Sequence, residues 1–165
     1  MVRRTAPPSL AKVVSGGQTG VDRAALDTAL AAGIRCGGWC PRGRRAEDGS
    51  IPSRYPLLET PSSAYPERTR RNVYDADATL VLTRGAPRGG TALTVALAAR
   101  AKRPCLVVDL DAPPDPDRVR EWLAAHRVKT LNVAGPRESE QPGIHDEAED
   151  LLWRVMGSRP RSRER

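Results

Sequence analysis

The sequence contains no phenylalanine, and aromatic residues make up only 4% of its 165 positions. Its core must therefore be built from Leu, Val and Ala. A surface on which aromatic side chains stack the bases of single-stranded nucleic acid is excluded. Histidine is nearly absent too, with two residues, His126 and His145, far apart in the chain. No Ser-His-Asp or Cys-His pattern for nucleophilic catalysis can be assembled from them. The three cysteines, Cys36, Cys40 and Cys105, are too few and odd in number for a disulfide framework. Cys36 and Cys40 are four positions apart with no histidine nearby, which argues against zinc and for reduced, buried thiols. No stretch approaches the ~20 apolar residues of a membrane helix. The opening residues carry basic side chains without the apolar run of a secretory signal, so a cytoplasmic location is expected and membrane partners are not.

Charge, by contrast, is plentiful. The net value is +7, and most of it lies at the two ends. Residues 1–12 and 158–165 contribute +3 each. Segments rich in Arg, Pro and Ser read as flexible tails, here 1–10 and 158–165, around a single domain over 11–157. A basic pI owed to tails is a weak pointer to nucleic acid, which is not expected as the partner. Within the body, residues 35–103 are net +7 and residues 104–157 net −5. A basic middle beside acidic helices suits a small anionic ligand better than a long polyanion.

Apolar runs alternate with helical patterns along the chain. Strands are expected at 12–15, 34–37, 78–83, 105–109 and 130–133, and helices at 21–32, 64–75, 91–101, 116–126 and 144–156. Gly33 stands where a helix C-cap belongs. His126 falls on the apolar face of its helix and reads as a core residue. Residues 38–63, rich in Pro and Gly, read as a long irregular loop able to cover a binding crevice. Short apolar strands alternating with helices indicate an α/β fold: one doubly wound parallel sheet of about five strands with helices on both faces.

Two glycine loops join a strand to a helix. The first runs Ser15, Gly16, Gly17, Gln18, Thr19, Gly20, Val21, Asp22, Arg23. Glycines let backbone N–H groups approach an anion, and a helix N-terminus adds about half a positive charge. No Lys follows the last glycine, so this is not a Walker loop. Ser15 replaces the first glycine of a dinucleotide fingerprint, and no acidic residue ends the second strand to hold a ribose. The second loop runs from Arg84 through Arg88, Gly89 and Gly90 to Thr91, a natural N-cap. With the five strands in the order 2-1-3-4-5, the two loops would face each other across the switch-point crevice, and Arg84 and Arg88 would clamp a phosphate. Gly17 and Gly90 would then face the ligand, and a side chain at either would block binding without unfolding the sheet.

Two further groups carry candidate chemistry. Glu47 and Asp48 lie in the long loop among Arg42, Arg44, Arg45 and Arg54 and read as a solvated pair or a carboxylate pair. Helical spacing puts Arg68, Arg71 and Asn72 on one face, aimed at the ligand or at a second subunit.

The segments VVSGGQTGVDRAALDTAL, GIRCGGWCPRGRRAEDGSIP, YPERTRRNVYDADATLVLTRG and LNVAGPRESEQPGI together resemble the molybdenum-cofactor carrier family, also described as circularly permuted YpsA-like proteins. The resemblance covers residues 12–156. It implies a Rossmann-like fold of the SLOG group, related to the lonely-guy phosphoribohydrolases and to nucleotide-ligand sensors. It also implies a homo-oligomer, a dimer or dimer of dimers. The ligand it implies is molybdenum cofactor (molybdopterin), with molybdenum enzymes or cofactor-synthesis proteins as partners. The alternative is a nucleotide such as AMP, either sensed or hydrolysed with Asp22 or Asp48 as acid/base. The enzyme relatives carry a PGGxGTxxE loop whose Glu serves cleavage. Here Thr94 and Val95 stand where that acid would be, which favours binding over hydrolysis.

Overall fold

The computed structural model describes residues 7–157. Nine strands and five helices follow one another: β1 Lys12–Val14, α1 Val21–Ala32, β2 Arg35–Gly37, β3 Trp39–Cys40, β4 Arg45–Ala46, β5 Gly49–Ser50, β6 Leu58–Glu59, α2 Tyr65–Asp75, β7 Ala78–Thr83, α3 Gly89–Arg100, β8 Cys105–Asp109, α4 Pro116–Ala125, β9 Thr130–Ala134 and α5 Ile144–Met156. The central sheet has five strands, all parallel, in the order β2-β1-β9-β7-β8. Helices α1, α4 and α5 pack together, as do α2 and α3. Right-handed crossovers put these two groups on opposite faces. This is the doubly wound, Rossmann-like α/β fold.

The strand order differs from 2-1-3-4-5. The last strand, β9, returns to the middle of the sheet between β1 and β7. The burial pattern follows this order. All six residues of β7 and the central three of β9 are buried, whereas β2 exposes Arg35 and β8 exposes Asp109 at the edges. The main core lies between the sheet and α1, α4 and α5, around Leu80, Leu131, Ile144 and Leu151. Leu10, expected within the N-terminal tail, packs against this core. The rest of the expected tail segments, apart from residues 7–9, lies outside the described residues.

Residues 38–63 hold more order than an irregular loop. β3 pairs with β6 in parallel, and β4 with β5 as a hairpin. Both cover a second core formed by Leu26, Cys40, Ala46, Ile51, Tyr55 and Leu57. Arg44 locks the segment from within. Its guanidinium donates to the carbonyls of Ile51 (3.1 Å), Pro52 (2.8 Å) and Tyr55 (2.9 Å). Two smaller expectations also change. α3 starts at Gly89, with Arg88 rather than Thr91 at the N-cap, because both glycines already join the helix. His126 is exposed past the end of α4, edge-on to Trp122 with ring centroids 5.8 Å apart. No helix among the described residues is long and apolar enough to cross a membrane.

Candidate functional site

At the carboxyl end of the sheet, a cavity of about 340 Å³ opens between β9, the starts of α1 and α3, and one face of α2. β9 and β7 are neighbours whose following helices leave on opposite faces, which is where an open α/β sheet forms its ligand crevice. Six residues of the two glycine loops line the cavity, Gly16, Gln18, Asp22, Gly89, Gly90 and Thr91, as do Arg68 and Asn72 of the helix face aimed at a ligand or a second subunit.

The first glycine loop is packed solid. A Cβ on Gly16 would lie 1.9 Å from Arg68 Nη1, so only glycine lets the guanidinium rest on the loop. Gly17 (φ +76°) faces Leu57 and Ile51 of the second core, and Gly20 (φ +78°) faces the Pro136 carbonyl. Neither glycine faces the cavity, so a side chain at Gly17 strikes the fold before any ligand. Gln18 Oε1 accepts the N–H groups of Thr19 (3.1 Å) and Glu47 (2.9 Å), tying the 45–50 hairpin to the loop. Thr19 donates its hydroxyl to the Glu47 carboxylate and accepts the Glu138 N–H at 3.1 Å. Arg23 turns outward to Asp48 (2.7 Å) and the Gly17 carbonyl (3.1 Å). Its guanidinium holds the Asp48 carboxyl below the usual range. Glu47 and Asp48 therefore serve different partners outside the cavity. Asp22 is the first turn's own anion, accepting the Gln18 N–H at 3.2 Å and Arg68 Nη1 at 3.3 Å. Burial pushes the Asp22 carboxyl up, against the pull of Arg68 and the Gln18 amide.

The second loop is open. Gly89 and Gly90 are exposed, with no heavy atom within 4 Å of the place a Cβ would take. No side chain caps α3, and no acidic residue stands in its first turn. The two expected arginine clamps lie elsewhere. Arg84 turns to α5, with Nε 3.0 Å from Glu147 and Nη1 3.0 Å from the Pro142 carbonyl. Arg88 is exposed at the N-cap and does not line the cavity.

Two cations line the cavity: Arg137, paired with Glu140 at 2.8 Å, and Arg68 of α2, whose guanidinium also stacks 5.2 Å from the centre of the Tyr65 ring. Helical spacing had put Arg68, Arg71 and Asn72 on one face, but they divide their work. Arg71 pairs with Glu67 at 2.9 Å and covers the Trp39 ring. Asn72 bonds both backbone groups of Trp39, so the β3 backbone is held against the cavity wall. Asn132, unforeseen from the sequence, is buried at the floor and donates to Thr79 at 3.3 Å. Its one signal was a carboxamide between the apolar Leu131 and Val133 of a strand.

Residues 13–156 match the profile of cpYpsA, the circularly permutated YpsA SLOG family. No curated protein matches the chain. A solved structure, named "Putative molybdenum carrier protein" and coming from Syntrophus aciditrophicus SB, is 44% identical with a TM-score of 0.88. That likeness covers 93% of this chain and 98% of the other. A fold, a cavity at the switch point and a family profile spanning nearly the whole domain agree: the chain belongs to the circularly permutated YpsA SLOG family.

Proposed function

We propose that the protein binds a phosphate-bearing anionic small molecule in this cavity, and that the cargo is molybdenum cofactor (molybdopterin). One observation carries the anion reading. The start of α3 offers bare glycine backbone, a terminus that no side chain caps and no acid in its first turn, in the same cavity as the Arg68 guanidinium that Asp22 holds at 3.3 Å. That donor set suits a phosphate, since helix N–H groups and a guanidinium both favour negative charge. About 340 Å³ is at the lower end of the ~300–1,000 Å³ range of small-ligand pockets. Tyr65, Leu93 and Val133 supply apolar wall for a ring system, and Asn132 an amide at its edge. The name of the Syntrophus aciditrophicus protein supports molybdenum cofactor among phosphate-bearing ligands. The homo-oligomer implied by the resemblance remains part of the proposal, to be checked by sedimentation.

The test is mass spectrometry of whatever the folded protein carries on purification, followed by titration of the emptied protein with phosphorylated pterin and with AMP. The expected result is a pterin phosphate in the wild type, lost in Arg68→Ala. Carriage unchanged in that variant would remove the cavity as the site. Steady release of adenine from AMP would move the function to hydrolysis, with Asp22 and Glu140 as the carboxylates lining the cavity.

A further inference from the structure

Away from the cavity, α1 and α5 pack against each other on the opposite face of the sheet from α2 and α3. Asp27 projects from α1, and His145 and Glu149 project from α5 one turn apart. Their donor atoms converge. His145 Nε2 lies 2.9 Å from Asp27 Oδ2 and 3.8 Å from Glu149 Oε2, and one donor atom from each residue lies within 4.8 Å of the others. The remaining donor atoms of two of them are engaged elsewhere. Asp27 Oδ1 accepts the Tyr55 hydroxyl at 2.6 Å, and His145 Nδ1 lies 2.9 Å from Asp146 Oδ1. Such outer partners fix ring and carboxylate orientation around metals, leaving the inner atoms aimed at one point.

A simple ion pair between the two helices needs only Asp27 and His145. Glu149 adds a second carboxylate to the same imidazole nitrogen, and Asp146 a third to the other. Arg54, the cation next in line, is spent on the Tyr55 hydroxyl and ring. The three inner side chains are 28–29% exposed, so one direction stays open to water.

We propose that Asp27, His145 and Glu149 form a divalent-metal clip between α1 and α5, with a water completing the coordination. One imidazole nitrogen and two carboxylate oxygens suit zinc or a neighbouring first-row ion. Calcium and magnesium prefer shells of six or more oxygens. Bonds of about 2.0–2.2 Å in a tetrahedron put donor atoms about 3.4 Å apart. His145 and Asp27 part slightly to reach that spacing, and Glu149 moves in, as a partly exposed side chain can. The clip would hold the first turn of α5, and with it the 135–143 segment that walls the cavity.

The test uses the chelator-treated full chain, titrated with Co(II) as a spectroscopic stand-in and then with Zn(II). The expected result is one equivalent of Co(II) with visible bands of tetrahedral intensity, displaced by Zn(II), and a rise in Tm with Zn(II). Glu149→Gln, a surface change that leaves the helix intact, should weaken binding by at least about tenfold. His145→Ala should abolish it. No stoichiometric binding at micromolar metal would overturn the proposal. So would thiolate-to-cobalt charge-transfer bands, which would assign the metal to the cysteines, or binding unchanged in both variants.

Discussion

At the start of α1, Asp22 stands in the first turn and takes the Gln18 N–H, and every glycine of the loop before it is wedged against protein. At the start of α3, no acid stands in the first turn, no side chain caps the helix, and Gly89 and Gly90 face open space. Both loops are glycine-rich strand-to-helix turns at the same end of the same sheet. In the first, glycine is required because Arg68, Ile51, Leu57 and the 136–138 backbone approach too closely for a Cβ. In the second, no neighbour requires it: Gly89 needs glycine only for its backbone angle (φ +51°), and Gly90 stands in open space, so the backbone there stays uncovered by protein. A glycine loop thus states only that something comes close. The neighbours decide whether that is protein or ligand.

The sharpest way to break this contrast is a matched pair of alanines. In Gly20→Ala the new Cβ would lie 2.4 Å from the Pro136 carbonyl at φ +78°. A loss of about 2–4 kcal/mol is expected in denaturant unfolding. Gly90→Ala adds a methyl to open space in a helix and should change stability by under about 1 kcal/mol, in the stabilising direction. Equal costs would show the two loops to be alike.

Next in size is Arg68→Ala. A charge-assisted hydrogen bond is worth about 1.5–3 kcal/mol, so phosphate-ligand affinity should fall about 10- to 150-fold by calorimetric titration. The far-ultraviolet dichroism should stay that of the wild type. A twofold change would mean that the α3 terminus acts without the guanidinium.

Asp22→Asn probes the resident anion directly. Removing a carboxylate that competes for Arg68 should tighten phosphate binding by about tenfold. The pH dependence follows the same logic. Burial raises the folded pKa of Asp22, so the folded protein takes up this proton more readily than the unfolded chain. Its contribution to stability is therefore complete below the unfolded value and is lost as pH rises through the folded one. Anion affinity should weaken across the same interval as the carboxylate charges. Asp22→Asn should remove both slopes, read as the difference from wild type at each pH. Parallel curves for the two proteins would place the competing charge elsewhere.

The smallest effect is expected for Arg84→Ala. Its guanidinium is held by Glu147 and the Pro142 carbonyl, outside the cavity, so affinity should change by less than about twofold. A large loss would return the arginine clamp to the second loop.

The sequence alone determined the five helices, the five strands of the central sheet and the class of fold, but not the four short strands within 38–63. Apolar periodicity is a local property, and it placed the helices Val21–Ala32 and Ile144–Met156 and the strands Ala78–Thr83 and Cys105–Asp109 at their observed bounds. It also found both glycine loops, because turn chemistry is local too. Strand order was a tertiary decision. CLVVD is more apolar than TLNVA, yet the latter lies inside the sheet and the former at its edge, since burial depends on which neighbours arrive. The roles of the charged residues were decided the same way. Arg68 meets Asp22 across 46 positions, and Arg84 meets Glu147 across 63. His145, isolated in the sequence, meets Asp27 across 118. A guanidinium or an imidazole reaches only a few ångströms, so its partner is whatever the folded chain brings within that distance.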